Sequence, residues 1–518
     1  MALHDTPTAG NQILRALARH PDRVAFSGDA GTLTYRATTE RIGRMQKILL
    51  SLCLEPGSTV AVLSSNKADA WCAGSAAHLS RFPTTWLHPQ GSLEDHLFQL
   101  EDSAARVLVV DPASFGDRGG ELAARAASLH TVLTLGPASY GTNLVAAVDS
   151  AGSATPRCTA VLDDPATLVY TGGTTGRPKA VLRLHRQYSH LAPATLMNFE
   201  FPEQPQYLAV GPISHAAGLN ILPALMRGGT VHLATGFDPE KVLDTVQRQR
   251  IDTTMLVPTM IYTLLDHPAL SRSDTSSLEL LIYGASPMSP SRLAEGIERF
   301  GPVFSQLYAQ SECTPIAVLA KSEHDPARPD RLLSCGHPAL GCGVRLLDAD
   351  GQDVELGAPG EICVRGAQAM TEYWNQPKVT DEAVRDGWLH TGDIARADEE
   401  GYLYILDRKK DMIVTGGFNV YPKEVEDVLA AHPDVAVVAV VGVPHDKWGE
   451  AVTAVVVPRV GARIDEQELT GLVRQRKGPV HAPKEIRVVD ELPLTAVGKV
   501  DKKALKETFW NSQDRRVG

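Results

Sequence analysis

Residues 170–179 (YTGGTTGRPK) carry three glycines, three threonines and a closing lysine. Glycine allows backbone N–H groups to converge on an anion, and the hydroxyl and ammonium groups add further donors. β-prone runs flank the segment, so we predict a loop between two strands. This combination predicts a loop that binds the phosphates of a nucleoside triphosphate. Its predicted binding residues are Thr171, Gly172, Gly173, Thr174, Thr175, Gly176 and Lys179.

The loop differs from a Walker A phosphate loop, in which the lysine directly follows the last glycine and a Ser or Thr comes after it. Here Pro178 precedes Lys179 and Ala180 follows it. The structural alternative is a glycine- and threonine-rich hairpin turn with an exposed lysine. The hydroxyl groups and the Pro-Lys ending favour phosphate binding over that alternative.

The composition is that of a folded globular protein. The 518 residues are 43% hydrophobic and 21% charged, and the length predicts about three or four domain-sized units. A net charge of −11 argues against a nucleic-acid-binding surface, because phosphate neutralisation requires clustered Lys and Arg. The seven cysteines are dispersed and form no C-x-x-C pair, which predicts reduced thiols in a cytoplasmic protein, without a zinc site or a disulfide framework.

The chain also lacks the usual sequence signals for export or membrane insertion. The residues MALHD at the N-terminus show no basic region followed by an apolar run. No stretch approaches the roughly eighteen uninterrupted apolar residues of a membrane-spanning helix. We therefore predict neither secretion nor a membrane span.

The elements that must position the loop alternate between strand and helix patterns. Residues 59–63 and 105–110 read as strands and residues 68–79 as a helix, which is typical of parallel α/β layers. Between residues 346 and 365 the pattern changes to short strands and turns, which predicts a small β-rich subdomain. After the charged run DRKKD at 407–411, a compact α+β unit is predicted. Its helices span 422–431 and about 466–476, and its strands span 435–443 and 451–457.

Several segments, in order along the whole chain, resemble the superfamily of adenylate-forming (ANL) enzymes, which includes acyl-CoA synthetases, non-ribosomal adenylation domains and firefly luciferase. The segments are YTGGTTGRPK at 170–179, GASP at 284–287, YAQSE at 308–312, LHTGD at 389–393, DRKK at 407–410, GGFNVYPKEVE at 416–426 and PLTAVGK at 493–499. The resemblance implies an α/β multidomain fold. A large N-terminal domain, residues 1–408, would contain two α/β subdomains and a small β-barrel at about 335–408. A small mobile α+β domain would follow at 409–518.

The resemblance also implies a two-step reaction that begins with ATP. A carboxylate attacks the α-phosphate, pyrophosphate leaves, and the acyl group then passes from AMP to a nucleophile. Lys499 would contact the carboxylate and the α-phosphate, although the basic residues 502, 503 and 506 that follow it read as an exposed tail. Glu312 would bind Mg²⁺, a hard cation that prefers oxygen ligands. His215, in the segment GPISHAAG, would gate the acyl pocket.

The remaining roles implied by the resemblance concern the nucleotide, the acyl group and the domain motion. Asp393 would accept hydrogen bonds from the ribose hydroxyls, with Arg408 as a second sugar contact. Lys410 would be the hinge of a rotation that exchanges Lys499 for an acceptor tunnel shaped by Gly416 and Gly417. The other nucleotide contacts would be Gly284, Ala285, Ser286, Tyr308 and Ser311, and the acyl pocket would be lined by His215, Gly284 and Ala309.

Two departures from the family pattern affect the predicted substrate. Ser311 replaces the usual threonine but keeps a hydroxyl group, whereas Ala309 replaces the usual glycine and adds a methyl group to the acyl pocket. No aspartate accompanies His215, although adenylation domains specific for amino acids place one in this segment to hold the substrate ammonium. The sequence therefore argues against an amino acid as the acid substrate.

We predict an ATP- and Mg²⁺-dependent ligase that joins a small-molecule carboxylic acid to a nucleophile, with CoA as the leading acceptor. An amide synthetase that uses an amine, or an enzyme that loads the thiol of a carrier protein, remains an alternative. A non-catalytic nucleotide-binding relative is a further alternative, and retention of Lys179, Glu312, Asp393 and Lys499 argues against it. The family expectation for the oligomeric state is a monomer or a homodimer.

Overall fold

The computed structural model describes residues 6–29, 31–171, 178–408, 411–415, 418–445, 448–495 and 500–513. Its first elements are α1 (Ala9–Arg19), β1 (Val24–Gly28), β2 (Gly31–Thr34), α2 (Tyr35–Ser51), β3 (Thr59–Leu63), α3 (Ala68–Leu79), β4 (Thr84–Trp86), α4 (Leu93–Asp102), β5 (Ala105–Val110), α5 (Pro112–Arg125), β6 (Thr131–Thr134), β7 (Thr142–Asn143), α6 (Leu144–Ser150), β8 (Pro165–Thr171), β9 (Lys179–Leu184) and α7 (His185–Asn198). There follow β10 (Gln206–Ala209), α8 (Ala216–Leu219), α9 (Ile221–Met226), β11 (Thr230–Leu233), α10 (Pro239–Gln249), β12 (Thr253–Leu256), α11 (Pro258–Asp266), β13 (Leu280–Gly284), α12 (Pro290–Phe300), β14 (Phe304–Tyr308), β15 (Ala317–Leu319) and β16 (His337–Pro338). The last are β17 (Cys342–Leu347), β18 (Gly360–Gly366), β19 (Glu372–Tyr373), α13 (Pro377–Ala383), β20 (Val384–Arg385), β21 (Trp388–Ala397), β22 (Leu403–Arg408), β23 (Ile413–Thr415), β24 (Phe418–Val420), α14 (Pro422–Ala430), β25 (Val435–His445), β26 (Gly449–Pro458), α15 (Glu466–Lys477), β27 (Glu485–Val488) and α16 (Lys502–Gln513).

Two large sheets form the α/β part of the molecule. One has eight strands in the order β19-β9-β8-β4-β3-β5-β6-β7, and the other has nine in the order β16-β15-β14-β13-β12-β10-β11-β1-β2. The central strands of both sheets run parallel, whereas β8 and β9 form an antiparallel pair. One buried cluster contains Val60 and Val107 of the first sheet together with Phe26 and Tyr207 of the second. The two α/β subdomains expected from the motifs therefore share a core.

The predicted small β-barrel takes the form of a five-stranded antiparallel sheet. Four strands follow the order β17-β18-β21-β20, and the fifth, β22, also pairs with β21. Its apolar residues Ile362 and Leu389 belong to the same buried cluster as Tyr308 and Cys313. This packing places the strand that carries residues 391–393 beside the segment that follows β14. The third sheet thus connects two of the sequence motifs.

The C-terminal unit is a five-stranded sheet covered by helices on both faces. Successive side chains of β25 and β26 point to opposite faces of this sheet. Val440 and Val452 therefore pack against α14 and α15, whereas Val441 and Val455 pack against α16. Helix α15 begins after Asp465, whose carboxylate accepts from two backbone N–H groups, and it is followed by Gly478, which has a φ of 89°. The predicted helices and strands of this unit are confirmed, and with them the predicted α/β fold class.

None of the described helices is both long enough and apolar enough to cross a membrane.

Candidate active site

The predicted phosphate loop is flanked by paired strands. Thr171 ends β8, Lys179 begins β9, and the two residues lie opposite each other in the antiparallel ladder. The Thr171 hydroxyl donates to the carbonyl oxygen of Lys179 at 3.3 Å, which closes the base of the loop. The prediction of a loop between two strands is therefore confirmed at its flanks. Gly172, Gly173, Thr174, Thr175 and Gly176 lie outside the described residues.

One aromatic side chain connects Lys179 with Glu312. The Lys179 ammonium lies 5.4 Å from the centre of the Tyr373 ring, and the Tyr373 hydroxyl donates to Glu312 Oε1 at 2.7 Å. Burial and the neighbouring carboxylate raise the pKa of Tyr373, which keeps this hydroxyl protonated. Tyr373 reaches the site because β19 pairs with β9, which is a contact that sequence motifs do not reveal.

A buried arginine supports the turn that carries Glu312. Arg183, on β9, is almost fully buried, and its guanidinium donates to the carbonyl oxygen of Ser311. Burial lowers the pKa of Arg183, whereas the nearby Cys313 and Glu312 raise it. Arg183 therefore interacts electrostatically with the Glu312 carboxylate, a contact that no sequence motif indicates.

The predicted ribose-binding carboxylate lies in a buried cluster of donors. Asp393 Oδ2 accepts from the Tyr308 hydroxyl at 2.6 Å and from the Gln310 amide at 2.7 Å. Arg408 Nε lies 3.3 Å from Asp393 Oδ1, since the two residues are cross-strand partners on β21 and β22. Gln310 also donates to the carbonyl of Thr391 at 2.9 Å. The structure thus brings Tyr308, Asp393 and Arg408 together and adds Gln310, which was not predicted.

The segment predicted to contact adenine lies beside this cluster. Gly284 ends β13 next to Leu307 of the parallel strand β14, at the carboxyl edge of the sheet where open α/β folds bind ligands. A Cβ atom at Gly284 would lie 2.3 Å from the carbonyl oxygen of Leu307, so only glycine fits. Ala285 follows with a φ of 69° and is exposed, and Ser286 is half-buried. Ala309, directly after β14, is also half-buried.

His215 lies in a neutral environment. Its Nδ1 and the Ser214 hydroxyl lie 2.8 Å apart, and its ring centre is 4.4 Å from that of His88. Burial, with a smaller contribution from His88, lowers the pKa of His215 to about 4, and burial also lowers the pKa of His88. Gly218 allows this turn, because a Cβ atom there would lie 1.9 Å from the carbonyl oxygen of Ile213. Both imidazoles are therefore uncharged at neutral pH.

The junction between Arg408 and the C-terminal unit is held by buried charges. Asp407 Oδ2 accepts from the backbone N–H of Lys423, in the first turn of α14, at 3.0 Å. Lys502 Nζ lies 2.8 Å from Glu426 Oε1 and 4.0 Å from Asp407 Oδ2. Burial raises the pKa of Asp407, and the nearby Lys502 ammonium opposes that rise. The predicted residues Lys410, Gly416, Gly417 and Lys499 lie outside the described residues.

The expectation of an exposed basic tail was wrong for Lys502. This residue begins α16, and only 23% of its side chain is exposed. Lys503 is exposed and lies 3.8 Å from Glu507, as expected for a surface pair. The charged run at 407–411 contains the buried Asp407. The expectation for Lys502 failed because its partner Glu426 lies on α14, which is distant in sequence.

We expect Lys502→Met to destabilise the packing of α14 against α16 by about 2 kcal/mol, a value between those of exposed and buried ion pairs. The substitution removes the Lys502 ammonium from Glu426 and Asp407, whose negative charges then repel each other. Hydrogen exchange of peptides from 422–430 and 502–513 should become about 30-fold faster. Lys503→Met is the matched control and should change exchange less than threefold, roughly as surface substitutions do. Equal effects of the two variants would contradict the assignment.

The chain is similar to known families and proteins over most of its length. Residues 13–374 match the model of the AMP-binding enzyme family, and residues 424–499 match that of the AMP-binding enzyme C-terminal domain. The chain is 45% identical to the medium/long-chain-fatty-acid–CoA ligase FadD8 of Mycobacterium tuberculosis, over 98% of this chain and 91% of that protein. It is 34% identical to a feruloyl-CoA synthase of an Amycolatopsis species, over 96% and 99% of the two chains.

Among solved structures, the amide bond synthetase McbA of Marinactinospora thermotolerans superposes with a TM-score of 0.90 at 32% identity, over 96% of this chain and all of that one. Both family models match in the order in which the motifs occur along the sequence. The chain therefore belongs to the AMP-binding enzyme family, within the superfamily of adenylate-forming enzymes that its motifs resemble.

Proposed function

We propose that the protein is an ATP-dependent carboxylic acid–CoA ligase. It joins the acid to the α-phosphate of ATP with release of pyrophosphate and then transfers the acyl group from AMP to the CoA thiol. The observation that carries the proposal is the match, over nearly the whole chain, to proteins named as a fatty-acid–CoA ligase and a feruloyl-CoA synthase. The side chains gathered around Asp393 and Glu312 are consistent with this chemistry.

The nucleotide would extend from the cluster of side chains around Asp393 to the cluster around Glu312 and Lys179. Asp393 is an acceptor-only carboxylate, so it suits the paired hydroxyls of ribose, and Tyr308, Gln310 and Arg408 fix its orientation. The phosphates would lie towards Thr171 and Lys179, where the loop at 172–176 supplies backbone N–H groups to the departing pyrophosphate. Gly284, Ala285, Ser286 and Ser311 are proposed to complete the nucleotide contacts.

Glu312 is the proposed ligand of Mg²⁺. Tyr373 donates to Oε1 of this carboxylate, and Oε2 provides the hard oxygen donor that Mg²⁺ prefers. Arg183, which donates to the neighbouring Ser311 carbonyl, and Lys179, which lies over the Tyr373 ring, are cations that limit how much negative charge the site accumulates. A bound Mg²⁺ would neutralise phosphate oxygens that otherwise repel the attacking carboxylate.

The two half-reactions are proposed to use two arrangements of the domains 1–408 and 409–518. Lys499 would face the α-phosphate during adenylation. A rotation at Lys410 would then remove Lys499 and bring Gly416 and Gly417 to the same site, where they shape the path of the acceptor. In the structure, Lys502 connects α16, which follows Lys499, to Asp407 beside the proposed hinge.

The acid is proposed to lack an amino group. His215 and His88 are uncharged at neutral pH, and an ammonium group placed against them would lose hydration without gaining a carboxylate partner. His215, Gly284 and Ala309 are proposed to line this pocket. Fatty acids and arylpropenoic acids, as in the names of the relatives, are the substrate classes to test first.

Amide synthesis is a second candidate function, and one observation favours it. The fold superposes on an amide bond synthetase with a TM-score of 0.90 at 32% identity. The adenylation half-reaction would be the same, and an amine would replace the CoA thiol as the nucleophile.

We expect preformed acyl-AMP incubated with the enzyme to give the CoA thioester when CoA is supplied and little amide when a panel of amines is supplied. The acyl-AMPs should carry medium-chain, long-chain and feruloyl groups, and mass spectrometry should identify the products. Amide without thioester would assign the second candidate function instead. Absence of acid-dependent pyrophosphate exchange across a broad acid panel would contradict both.

A further inference from the structure

Three side chains able to bind a metal meet on the five-stranded antiparallel sheet, away from Glu312. Cys363 on β18 and His390 on β21 are direct cross-strand partners. Glu361 lies two residues before Cys363 on the same strand, and its carboxylate lies within 4.8 Å of both other donor atoms although the strand register shifts between Glu361 and Cys363. Register therefore brings together a thiol, an imidazole and a carboxylate that are separated by up to 29 positions in sequence.

The spacing of the donor atoms fits tetrahedral coordination. Cys363 Sγ lies 3.2 Å from His390 Nδ1, and Glu361 Oε2 lies 3.3 Å from the same nitrogen. The three donor atoms all lie within 4.8 Å of one another. With the usual zinc bond lengths, tetrahedral geometry requires about 3.6 Å between sulfur and nitrogen and about 3.3 Å between nitrogen and oxygen. The sulfur–nitrogen and nitrogen–oxygen distances therefore differ from these values by less than half an ångström.

The ligands are buried and oriented. The exposed fractions are 7% for Glu361 and 0% for Cys363, and 10% for the His390 side chain. Glu361 Oε1 accepts from the backbone N–H of Gly392 at 3.1 Å, which turns Oε2 towards the imidazole. Such outer hydrogen bonds orient ligands at metal sites and increase affinity.

An arginine supplies positive charge at this position. Arg385 Nη2 lies 2.7 Å from His390 Nδ1 and 3.9 Å from Glu361 Oε2, and 52% of its side chain is exposed. A divalent ion would displace this guanidinium, which can move into solvent. Arg345, on β17, is the cross-strand partner of Cys363 at the other edge of β18. Its positive charge is neutralised by Asp353, which accepts two hydrogen bonds from the guanidinium at 2.7 and 2.8 Å.

We propose that Cys363, His390 and Glu361 form a binding site for a divalent transition metal of the zinc class, with Arg385 as the group that the ion replaces. Binding releases the thiol proton of Cys363 to solvent and leaves the fourth coordination position to water. The site differs from the proposed Mg²⁺ site in its donors, since thiolate and imidazole select zinc-type ions over Mg²⁺. The cysteine spacing predicted no zinc site, because these ligands are joined by strand register and not by a short motif.

Cobalt titration of the full chain, stripped of metal with a chelator, tests the proposal. One equivalent of Co²⁺ should produce a thiolate-to-cobalt charge-transfer band, which Zn²⁺ then removes by displacement. Cys363→Ser should abolish the band and weaken Zn²⁺ binding at least tenfold, because even outer-shell changes cost about 10- to 100-fold. Cys53→Ser and Cys342→Ser are the matched controls, an exposed and a half-buried thiol, and should keep the band.

Arg385→Gln provides a second test that does not depend on how well a buried substitution folds. Removing the competing cation should tighten Zn²⁺ binding about fivefold or more, as expected for a charge within 4 Å of two ligands. A band that survives in Cys363→Ser, or that Cys342→Ser removes, would overturn the proposal. Weaker or unchanged binding in Arg385→Gln would also overturn it.

Discussion

Replacing Lys499 with alanine is expected to lower the rate of acid adenylation at least about a hundredfold, while transfer from supplied acyl-AMP stays within about threefold of the parent. The first half-reaction brings a carboxylate anion against a polyanion, so a cation at the reacting centre stabilises the transition state more than the ground state. The second half-reaction has no such requirement, because pyrophosphate has already left. Acid-dependent pyrophosphate exchange measures the first step, and product formation from acyl-AMP measures the second.

Lys503→Ala is the matched control for this prediction. Lys503 belongs to the same basic segment but is exposed and paired with Glu507 on the surface. Its loss should leave both half-reactions nearly unchanged, since exposed pairs contribute little. If Lys499→Ala slows the two half-reactions equally, the proposed exchange of Lys499 for the acceptor tunnel is wrong.

The parts of the fold that the sequence predicted are those determined by local patterns. Three elements have the predicted bounds, namely the strands at 59–63 and 105–110 and the helix at 68–79. They were predictable because buried parallel strands and buried helices are continuous runs of mostly apolar residues. The paired strands around the glycine-rich loop were predicted for the same reason. Motif order along the chain was sufficient to predict the family.

The missed residues depend on contacts between segments distant in sequence. Tyr373 reaches Glu312 only because β19 pairs with β9, and Gln310 reaches Asp393 only because the third sheet packs beside β14. Arg183 is buried in the interior of β9, where a charged residue has no sequence signal of its own. Lys502 was misread because its partner Glu426 lies on another helix. Motifs identified candidate residues, whereas register and packing determined what those residues contact.

Replacing Asp393 with asparagine is expected to lower kcat/KM for ATP about a hundredfold in pyrophosphate exchange. The parent carboxylate accepts from Tyr308 and Gln310 and lies beside Arg408, which leaves its other lone pairs for the ribose hydroxyls. Asparagine has one NH₂ group in place of a carboxylate oxygen. This NH₂ group would face either the donors Tyr308 and Gln310 or the sugar hydroxyls, and one set of accepted hydrogen bonds would be lost. The lost charge-assisted hydrogen bonds correspond to about 3 kcal/mol, or roughly a hundredfold.

A nucleotide lacking one hydroxyl distinguishes this role from a purely structural one. The parent should prefer ATP over its 2′- or 3′-deoxy analogues, and Asp393→Asn should lose most of that preference, because the group that reads the diol is gone. Asp386→Asn, in the turn between β20 and β21, is the matched control. Asp386 is exposed with a φ of 52°, a conformation that asparagine tolerates well, so its kinetics should match the parent. An Asp393→Asn enzyme that is slower but still discriminates against the deoxy nucleotides would show that Asp393 supports Tyr308 and Gln310 without contacting the sugar.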